Sequence, residues 1–396
     1  MSMTDRDYMN RAIELAKKGA GWTNPNPLVG AVIVKDGRII GEGYHRRYGE
    51  LHAERNAIAS LKESAKGATI YVTLEPCCHY GKTPPCTEAI LENEIQRVVI
   101  GSRDPNPKVA GKGVKMLRNA GVLVEEDFMR EECDRLNPIF FHYITRHIPY
   151  VIMKYAMTAD GKIATKTGAS KWITGEEARM EVQRLRHRCM GIMAGIGTVL
   201  SDDPMLNVRI SGGRSPVRII CDSHLRIPLD SRICRTAKEY PTIVACAPDI
   251  QGEMAGTGNG ESKVREESQR KKIRKLEELG IQVLPVADGS GHVDIGELMQ
   301  ILGSRGIDSI LLEGGGTLND SALRTGIVQE IWAFVAPKIF GGGEAKTPVA
   351  GVGIEAPEEA AALKLKSVSQ IGEDLLMKYE VKVESYRRPD GCLQEL

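Results

Sequence analysis

Apolar positions along this chain fall into short blocks separated by turn residues, and the spacing within the blocks changes. An amphipathic helix is expected from Met1 to Gly19. Gly21-Trp22-Thr23-Asn24-Pro25-Asn26-Pro27 then reads as a loop, and Leu28–Val34 is an apolar run of the kind that forms a buried strand. Lys35-Asp36-Gly37 turns it and Arg38–Gly43 returns, which predicts a hairpin. Ala53–Leu61 takes helical spacing, with Ala57, Ile58 and Leu61 on one face. Strands are predicted at Ala68–Leu74, Arg97–Gly101 and Val122–Val124, with helices at Thr87–Glu92 and around Val114–Asn119. Glu125–Tyr143 reads as mixed helix and loop. The alternation predicts a largely parallel sheet covered on both faces.

Asn137-Pro138 and then His147-Ile148-Pro149 interrupt the pattern, and a domain boundary is expected there, giving 1–147 and 148–396. Beyond it, Tyr150–Met157 is an apolar strand carrying Lys154, a charge that burial disfavours unless it is paired or reaches solvent. Trp172-Ile173-Thr174-Gly175 leads into a helix, Glu176–Arg188, and Gly191–Thr198 reads as a strand with a glycine-rich end. Further strands are predicted at Val217–Cys221, Thr242–Cys246, Ile281–Leu284 and Ile307–Leu312. The last runs into Glu313-Gly314-Gly315-Gly316-Thr317 before a helix from Leu318. Residues 251–270, rich in glycine, serine and charge, read as a mobile surface insertion before the helix Lys271–Leu279. Leu375–Val383 reads as a closing strand, and 385–396 as a polar tail.

Composition narrows the class. The chain has 396 residues, 42% hydrophobic and 27% charged, as in a soluble globular protein of two domains. A net charge of +1 and 5% aromatic residues give no reason to expect nucleic-acid binding. No long uncharged apolar run predicts a membrane span, and no signal sequence is evident. Nine cysteines, an odd count, argue against a disulfide framework and for metal-bound thiolates in a reducing cytoplasm.

Candidate chemistry centres on His52-Ala53-Glu54, answered by Pro76-Cys77 and then Cys86 beside Pro85. Catalytic zinc takes three protein ligands and keeps a position for water. Zinc deaminases pair a His-x-Glu element with a Pro-Cys element, the Glu staying outside the metal shell to move protons. Alone, His-x-Glu is more often a solvated helix start; coupled to two thiols it points to hydrolytic deamination of an amino-heterocycle. Nucleobase deaminases commonly space the thiols Cys-x-x-Cys, whereas here a longer polar segment, Cys78–Pro85, lies between them and holds His79 and Lys82. In the second half, glycines before a helix suit a pyrophosphate, although such a run is more often an ordinary turn. No clean dinucleotide fingerprint is present.

Asn24-Pro25-Asn26-Pro27-x-Val29-Gly30, His52-Ala53-Glu54 and Thr73-Leu74-Glu75-Pro76-Cys77 through Gly81-Lys82-Thr83-Pro84-Pro85-Cys86 resemble the bifunctional deaminase–reductase family of bacterial riboflavin biosynthesis. So do Lys154-x-Ala156-x-Thr158-x-Asp160-Gly161, Trp172-Ile173-Thr174-Gly175, Asp202-Asp203-Pro204-x-Leu206-Asn207-x-Arg209 and Glu313-Gly314-Gly315. The resemblance implies an α/β fold: a cytidine-deaminase-like three-layer domain followed by a dihydrofolate-reductase-like domain. It implies one Zn²⁺ on His52, Cys77 and Cys86, with Glu54 as proton shuttle, and substrate contacts at Asn24, His45, His79 and Lys82. For His45, in the polar loop Tyr44–Glu50, a surface histidine is the plain alternative. Cys78, where a small polar residue is commoner in the family, is expected to be a bystander.

For the second domain the resemblance implies NADPH, touched by Ala156, Trp172, Thr198, Asp202, Ser223 and Gly315, Gly316, Thr317, Leu318, Asn319, Asp320 and Ser321. Lys154, Ser170, Arg186, Leu206, Arg209 and Glu313 would hold a phosphorylated pyrimidine. A homo-oligomer is expected by analogy with the family. Two other readings use the same motifs: a nucleic-acid base deaminase, against which charge and thiol spacing argue, and a non-catalytic zinc module, which leaves Glu54 without a role.

Overall fold

The computed structural model describes residues 3–247 and 260–382. They divide into two compact units, Met1–His147 and Ile148–Leu396.

In the first unit α1 (Asp5–Lys17) starts at a capping box, in which Thr4 and Asp7 bond each other's backbone N–H. There follow β1 (Gly30–Lys35), β2 (Arg38–Tyr44), α2 (Ala53–Ala59), β3 (Thr69–Leu74), α3 (Cys86–Glu92), β4 (Arg97–Ser102), α4 (Lys112–Asn119), β5 (Leu123–Glu125), α5 (Arg130–Asp134) and α6 (Pro138–Arg146). The strands form one sheet in the order β2-β1-β3-β4-β5. Only β3, β4 and β5 run parallel; the hairpin puts β1 antiparallel to both β2 and β3. The largely parallel sheet expected from the sequence is therefore half antiparallel, because a two-residue turn reverses direction where a helical crossover would keep it. Alternate residues of β1 face opposite layers. Ala31 and Ile33 pack with Ala57, Ile90 and Leu117, and Val32 and Val34 pack with Met9, Ala12 and Ala16 of α1. Gly30 lets α1 lie directly on β1, since a Cβ there would collide with the Ala12 carbonyl.

The second unit contains β6 (Tyr150–Thr158), α7 (Glu176–Arg188), β7 (Gly191–Gly195), α8 (Ile196–Asp202), β8 (Val217–Cys221), α9 (Arg232–Arg235), β9 (Thr242–Cys246), α10 (Gly260–Glu278), β10 (Ile281–Pro285), α11 (Ile295–Ser304), β11 (Ser309–Leu312), α12 (Gly316–Arg324), β12 (Val328–Ala336), β13 (Leu363–Ile371) and β14 (Asp374–Val381). Their order in the sheet is β10-β9-β8-β7-β11-β6-β12-β14-β13. It is parallel from β10 to β12, and the hairpin β13–β14 closes it antiparallel. Alternation again makes two cores, Met193, Ile219 and Ile310 facing α11 and α12, and Ile192, Ile220 and Val244 facing Ile233 and Leu276.

Three expectations change. Gly191–Thr198 is strand only to Gly195, after which the chain is helical. The expected mobile insertion at 251–270 is helical from Gly260, since Glu, Lys and Arg that look like a solvated loop are also strong helix formers. Residues 251–259 and the expected tail at 385–396 lie outside the described residues. Among the described residues no helix is long and apolar enough to cross a membrane.

Candidate active sites of the two units

The first site is assembled where β3 ends and two helices begin. His52 is the N-cap of α2, Cys77 lies three residues beyond β3, and Cys86 opens α3. His52 Nδ1 is 3.4 Å from Cys77 Sγ and 3.5 Å from Cys86 Sγ. All three donor atoms lie within 4.8 Å of one another. A tetrahedral zinc with bonds of about 2.05 Å to nitrogen and about 2.3 Å to sulfur separates those atoms by roughly 3.5 Å. The donor set fits zinc. Hydrogen bonds from the Cys86 thiol and from His52 hold the Cys77 thiol well below its ordinary range. Cys78 is outside the group, its sulfur 3.9 Å from the Lys108 carbonyl.

Glu54, in the first turn of α2, is only 3% exposed. Burial, with the Cys77 charge adding to it, pushes its carboxyl up to about 7. A carboxyl in that range can both take and give a proton near neutrality.

A cavity of about 260 Å³ opens beside these residues, and His52, Glu54 and Cys77 line it. His45, His79 and Lys82 line it too. His45 is 2% exposed, so it is no surface histidine. Its Nδ1 is 3.1 Å from the Leu51 carbonyl and its Nε2 3.2 Å from the Asn26 amide nitrogen. That pairing assigns the proton to Nδ1, and burial lowers the ring's pKa, so the ring is held neutral. His79 Nδ1 is buried with no hydrogen-bond partner. The Lys82 ammonium stands 4.0 Å from the centre of the Tyr48 ring.

Asn24 departs from expectation: it does not line the cavity, and Asn26 does. Only the second half of the Asn-Pro-Asn-Pro loop faces inward. Asp104 and Asn106, beyond the end of β4, also line the cavity and were not singled out in the sequence. Asp104 is 8% exposed, and burial raises its carboxyl to about 6. Its signal was present in Asp104-Pro105-Asn106-Pro107, a second copy of the Asn24–Pro27 pattern at the end of the strand beside β3.

In the second unit Glu313, one residue beyond β11, accepts from Lys154 at 3.2 Å and from Arg186 at 2.7 and 3.0 Å. Burial alone would raise this carboxyl, but the two cations hold it well below the carboxylate range. Arg186 also donates to the Asn207 carbonyl at 3.0 Å, and Gln183 on the same helix accepts the Arg209 backbone N–H at 2.8 Å. Burial lowers the Arg209 pKa, and Arg186, Arg232 and Arg179 add repulsion. With Arg186 paired to Glu313, Arg209 stands near the further guanidinium groups of Arg232 and Arg179, and such groups suit a phosphate.

Ser170 donates to Asp202 at the end of α8 at 3.5 Å, and the Ser223 hydroxyl accepts from the Val293 N–H at 3.2 Å. Ala156 sits on β6 opposite Phe334 of β12. Thr198, in α8, adjoins Gly315, the N-cap of α12. The helix there begins at Gly316, two residues earlier than expected, so Gly316 and Thr317 are helical rather than loop. Of these residues Leu318 packs in the core, Asn319 donates to the Pro348 carbonyl at 2.8 Å, and Asp320 pairs with Arg324 at 2.9 Å. Leu206 is likewise buried in the core. The start of α12, capped by Gly315 with the Thr198 hydroxyl beside it, fits the pyrophosphate end of a dinucleotide.

Site and fold together define an enzyme of two α/β units, a zinc-dependent deaminase and a reductase. A family model described as the cytidine and deoxycytidylate deaminase zinc-binding region matches residues 2–102, and one described as the RibD C-terminal domain matches residues 149–377. The riboflavin biosynthesis protein RibD of Actinobacillus pleuropneumoniae is 55% identical over 380 residues, 96% of each chain. That of Escherichia coli is 38% identical, covering 95% of this chain and 99% of its own. Among solved structures, RibD of Acinetobacter baumannii has 36% identity and a TM-score of 0.81, covering 96% of this chain and 99% of that one. A Thermotoga maritima protein described as a diaminohydroxyphosphoribosylaminopyrimidine deaminase/5-amino-6-(5-phosphoribosylamino)uracil reductase has 38% identity and a TM-score of 0.77, covering 95% of this chain and 98% of that one.

The chain belongs to the RibD family of riboflavin biosynthesis proteins. It is a bifunctional deaminase and reductase, and zinc and NADPH are its cofactors.

Proposed function

We propose that the chain deaminates 2,5-diamino-6-(5-phosphoribosylamino)pyrimidin-4-one and then reduces the ribosyl group of the product to ribityl, the deaminase centre lying in Met1–His147 and the reductase centre in Ile148–Leu396. The observation that carries the reading is one cavity lined by His52, Cys77, Glu54 and a buried, unpartnered His79 nitrogen. His52, Cys77 and Cys86 would hold zinc, which would supply the Lewis acidity that makes a water nucleophilic near neutral pH. Glu54 would relay the attacking water's two protons in turn, the first to the ring nitrogen and the second, from the hydroxyl left on carbon, to the amino group that departs as ammonia. Asn26, Asp104 and Asn106 offer hydrogen bonds to the pyrimidine edge, with His45 lining the cavity and orienting the Asn26 amide, while His79 and Lys82 take the phosphoribosyl end.

In the reductase step NADPH supplies hydride. The chain's part is to align the nicotinamide with the open-chain imine carbon and to exclude water. Lys154, Arg186 and Glu313 form a rigid wall for the substrate, with Arg209 turned to its phosphate. Replacement of Glu54 by Gln tests the first step. It keeps zinc at parental content and cuts ammonia release at least about a hundredfold, while the already deaminated intermediate is still reduced. Loss of zinc, or normal ammonia release, contradicts the assigned role.

The chain also assembles as a homo-oligomer on this reading. Outer strand β13 is exposed along almost its whole length, and Leu365 and Val368 on it are 55% and 53% exposed. Edge strands with such apolar residues are commonly covered by a partner. A monomeric mass by light scattering at micromolar concentration overturns this. The eight described cysteines are all free thiols, which suits a reducing cytoplasm.

A further inference from the structure

We propose that Lys338, Arg179 and Asp374 clamp the Trp172–Gly175 segment in the conformation that receives the nicotinamide cofactor, acting as positioning residues. The segment has no regular structure and leads into α7, yet three successive carbonyls and the N–H that follows them each meet a charged side chain. The Lys338 ammonium donates to the Trp172 carbonyl at 3.0 Å and to the Ile173 carbonyl at 2.7 Å. Arg179 donates to the next carbonyl, Thr174, at 2.6 Å. The N–H that follows, from Gly175, donates to the Asp374 carboxylate at 2.7 Å. The Arg179 guanidinium also lies 4.7 Å from the centre of the Trp172 ring, and the indole is still 61% exposed. Ile173 and Thr174 are buried, so the side chain that the segment presents outward is the tryptophan's.

The three charged residues come from separate elements. Arg179 is on α7, Lys338 lies two residues past β12, and Asp374 opens β14 at the turn of the last hairpin. Lys338 is itself anchored. Its carbonyl accepts from the Ala159 N–H at 2.9 Å, and Asp160 accepts from the N–H groups of Phe340 and Gly341 at 3.2 and 2.7 Å. Consecutive carbonyls on one side of a loop concentrate negative partial charge. An ammonium with three donors, or a planar guanidinium that can also stack, is the side chain that matches it. None of the three residues needs to touch NADPH. They fix the surface that does, which is what an orienting shell contributes to a site. The inference rests on the reading that Trp172 contacts the cofactor.

The test uses the full-length protein. NADPH affinity is read from the change in the cofactor's own fluorescence on binding, apart from turnover, and a parental urea-unfolding transition of the second unit reports that it is folded. Lys338→Met raises the Kd and the KM for NADPH about tenfold and leaves kcat within about twofold, the loss expected when charged hydrogen bonds to a binding loop are removed. Lys338→Arg recovers most of the affinity. Asp374→Asn, which keeps size and an acceptor oxygen, weakens binding in the same direction by less. If Trp172→Ala weakens NADPH binding while Lys338→Met leaves it at the parental value, the clamp is wrong and the tryptophan contact stands. Should Trp172→Ala itself leave NADPH binding unchanged, the underlying reading of Trp172 is wrong and the clamp falls with it.

Discussion

Glu313 is a carboxylate held between the Lys154 ammonium and the Arg186 guanidinium with little solvent around any of the three. Removing one partner of such a group leaves charge buried and unpaired. Glu313→Gln is therefore expected to lower stability at pH 7 by about 3 kcal/mol, measured by urea unfolding. The pH dependence follows from the sign of the shift. This carboxyl is depressed below its ordinary value of 4.5, so its contribution is present above that pH and is lost as pH falls toward the folded value. The gap between parent and variant should close progressively below pH 4.5, and a gap that widens there contradicts the pairing. At the same scale, His79→Ala should raise the deaminase KM for the phosphoribosyl substrate about tenfold with zinc content unchanged. Loss of zinc in that variant would move His79 into the metal shell. His52, Glu54, Cys77 and Cys86 were legible in the sequence because zinc chemistry demands particular residue types at tight local spacing. Asn26, Asp104 and Asn106 were not, because what makes them functional is the meeting of the loop before β1 with the loop after β4, two strands that flank β3.

At the scale of elements, the placement of Cys77 depends on how the segment after β3 is tied to α4. The Glu75 carboxylate accepts the Gly111 N–H at 3.0 Å and the Val114 N–H at 3.4 Å, gripping the start of that helix. Gly113 makes the close approach possible, since a Cβ there would collide with the Pro76 carbonyl. Gly113→Ala should push the Pro76–Cys77 segment off α4 and weaken zinc binding by roughly tenfold to a hundredfold, measured by competition with a chelator. Unchanged affinity would show that the segment holds its shape without the helix. Elements with clear periodicity, such as α7 and the strands β6, β8 and β9, were readable from the sequence. β12 was missed, although it sits between β6 and β14, because a continuous apolar run such as Ile331–Val335 reads alike for a buried strand and a buried helix. β13 was missed for the opposite reason. Its mixed, largely exposed residues carry no buried face to betray a strand.

For the whole molecule, the two units have separate cores and separate sites, so each activity should survive a lesion in the other. Asp202→Asn is expected to impair NADPH-dependent reduction while ammonia release continues at the parental rate. Loss of both in a folded variant contradicts separable sites. The central claim is that one chain carries out two consecutive steps on one phosphorylated pyrimidine. It is tested most directly by giving purified zinc-loaded protein the diaminopyrimidinone ribosyl phosphate with NADPH and following ammonia and NADPH in the same cuvette. The account predicts that ammonia appears first and NADPH is then consumed in an equal amount. Ammonia release with no NADPH oxidation, or NADPH oxidation that does not wait for ammonia, would contradict it.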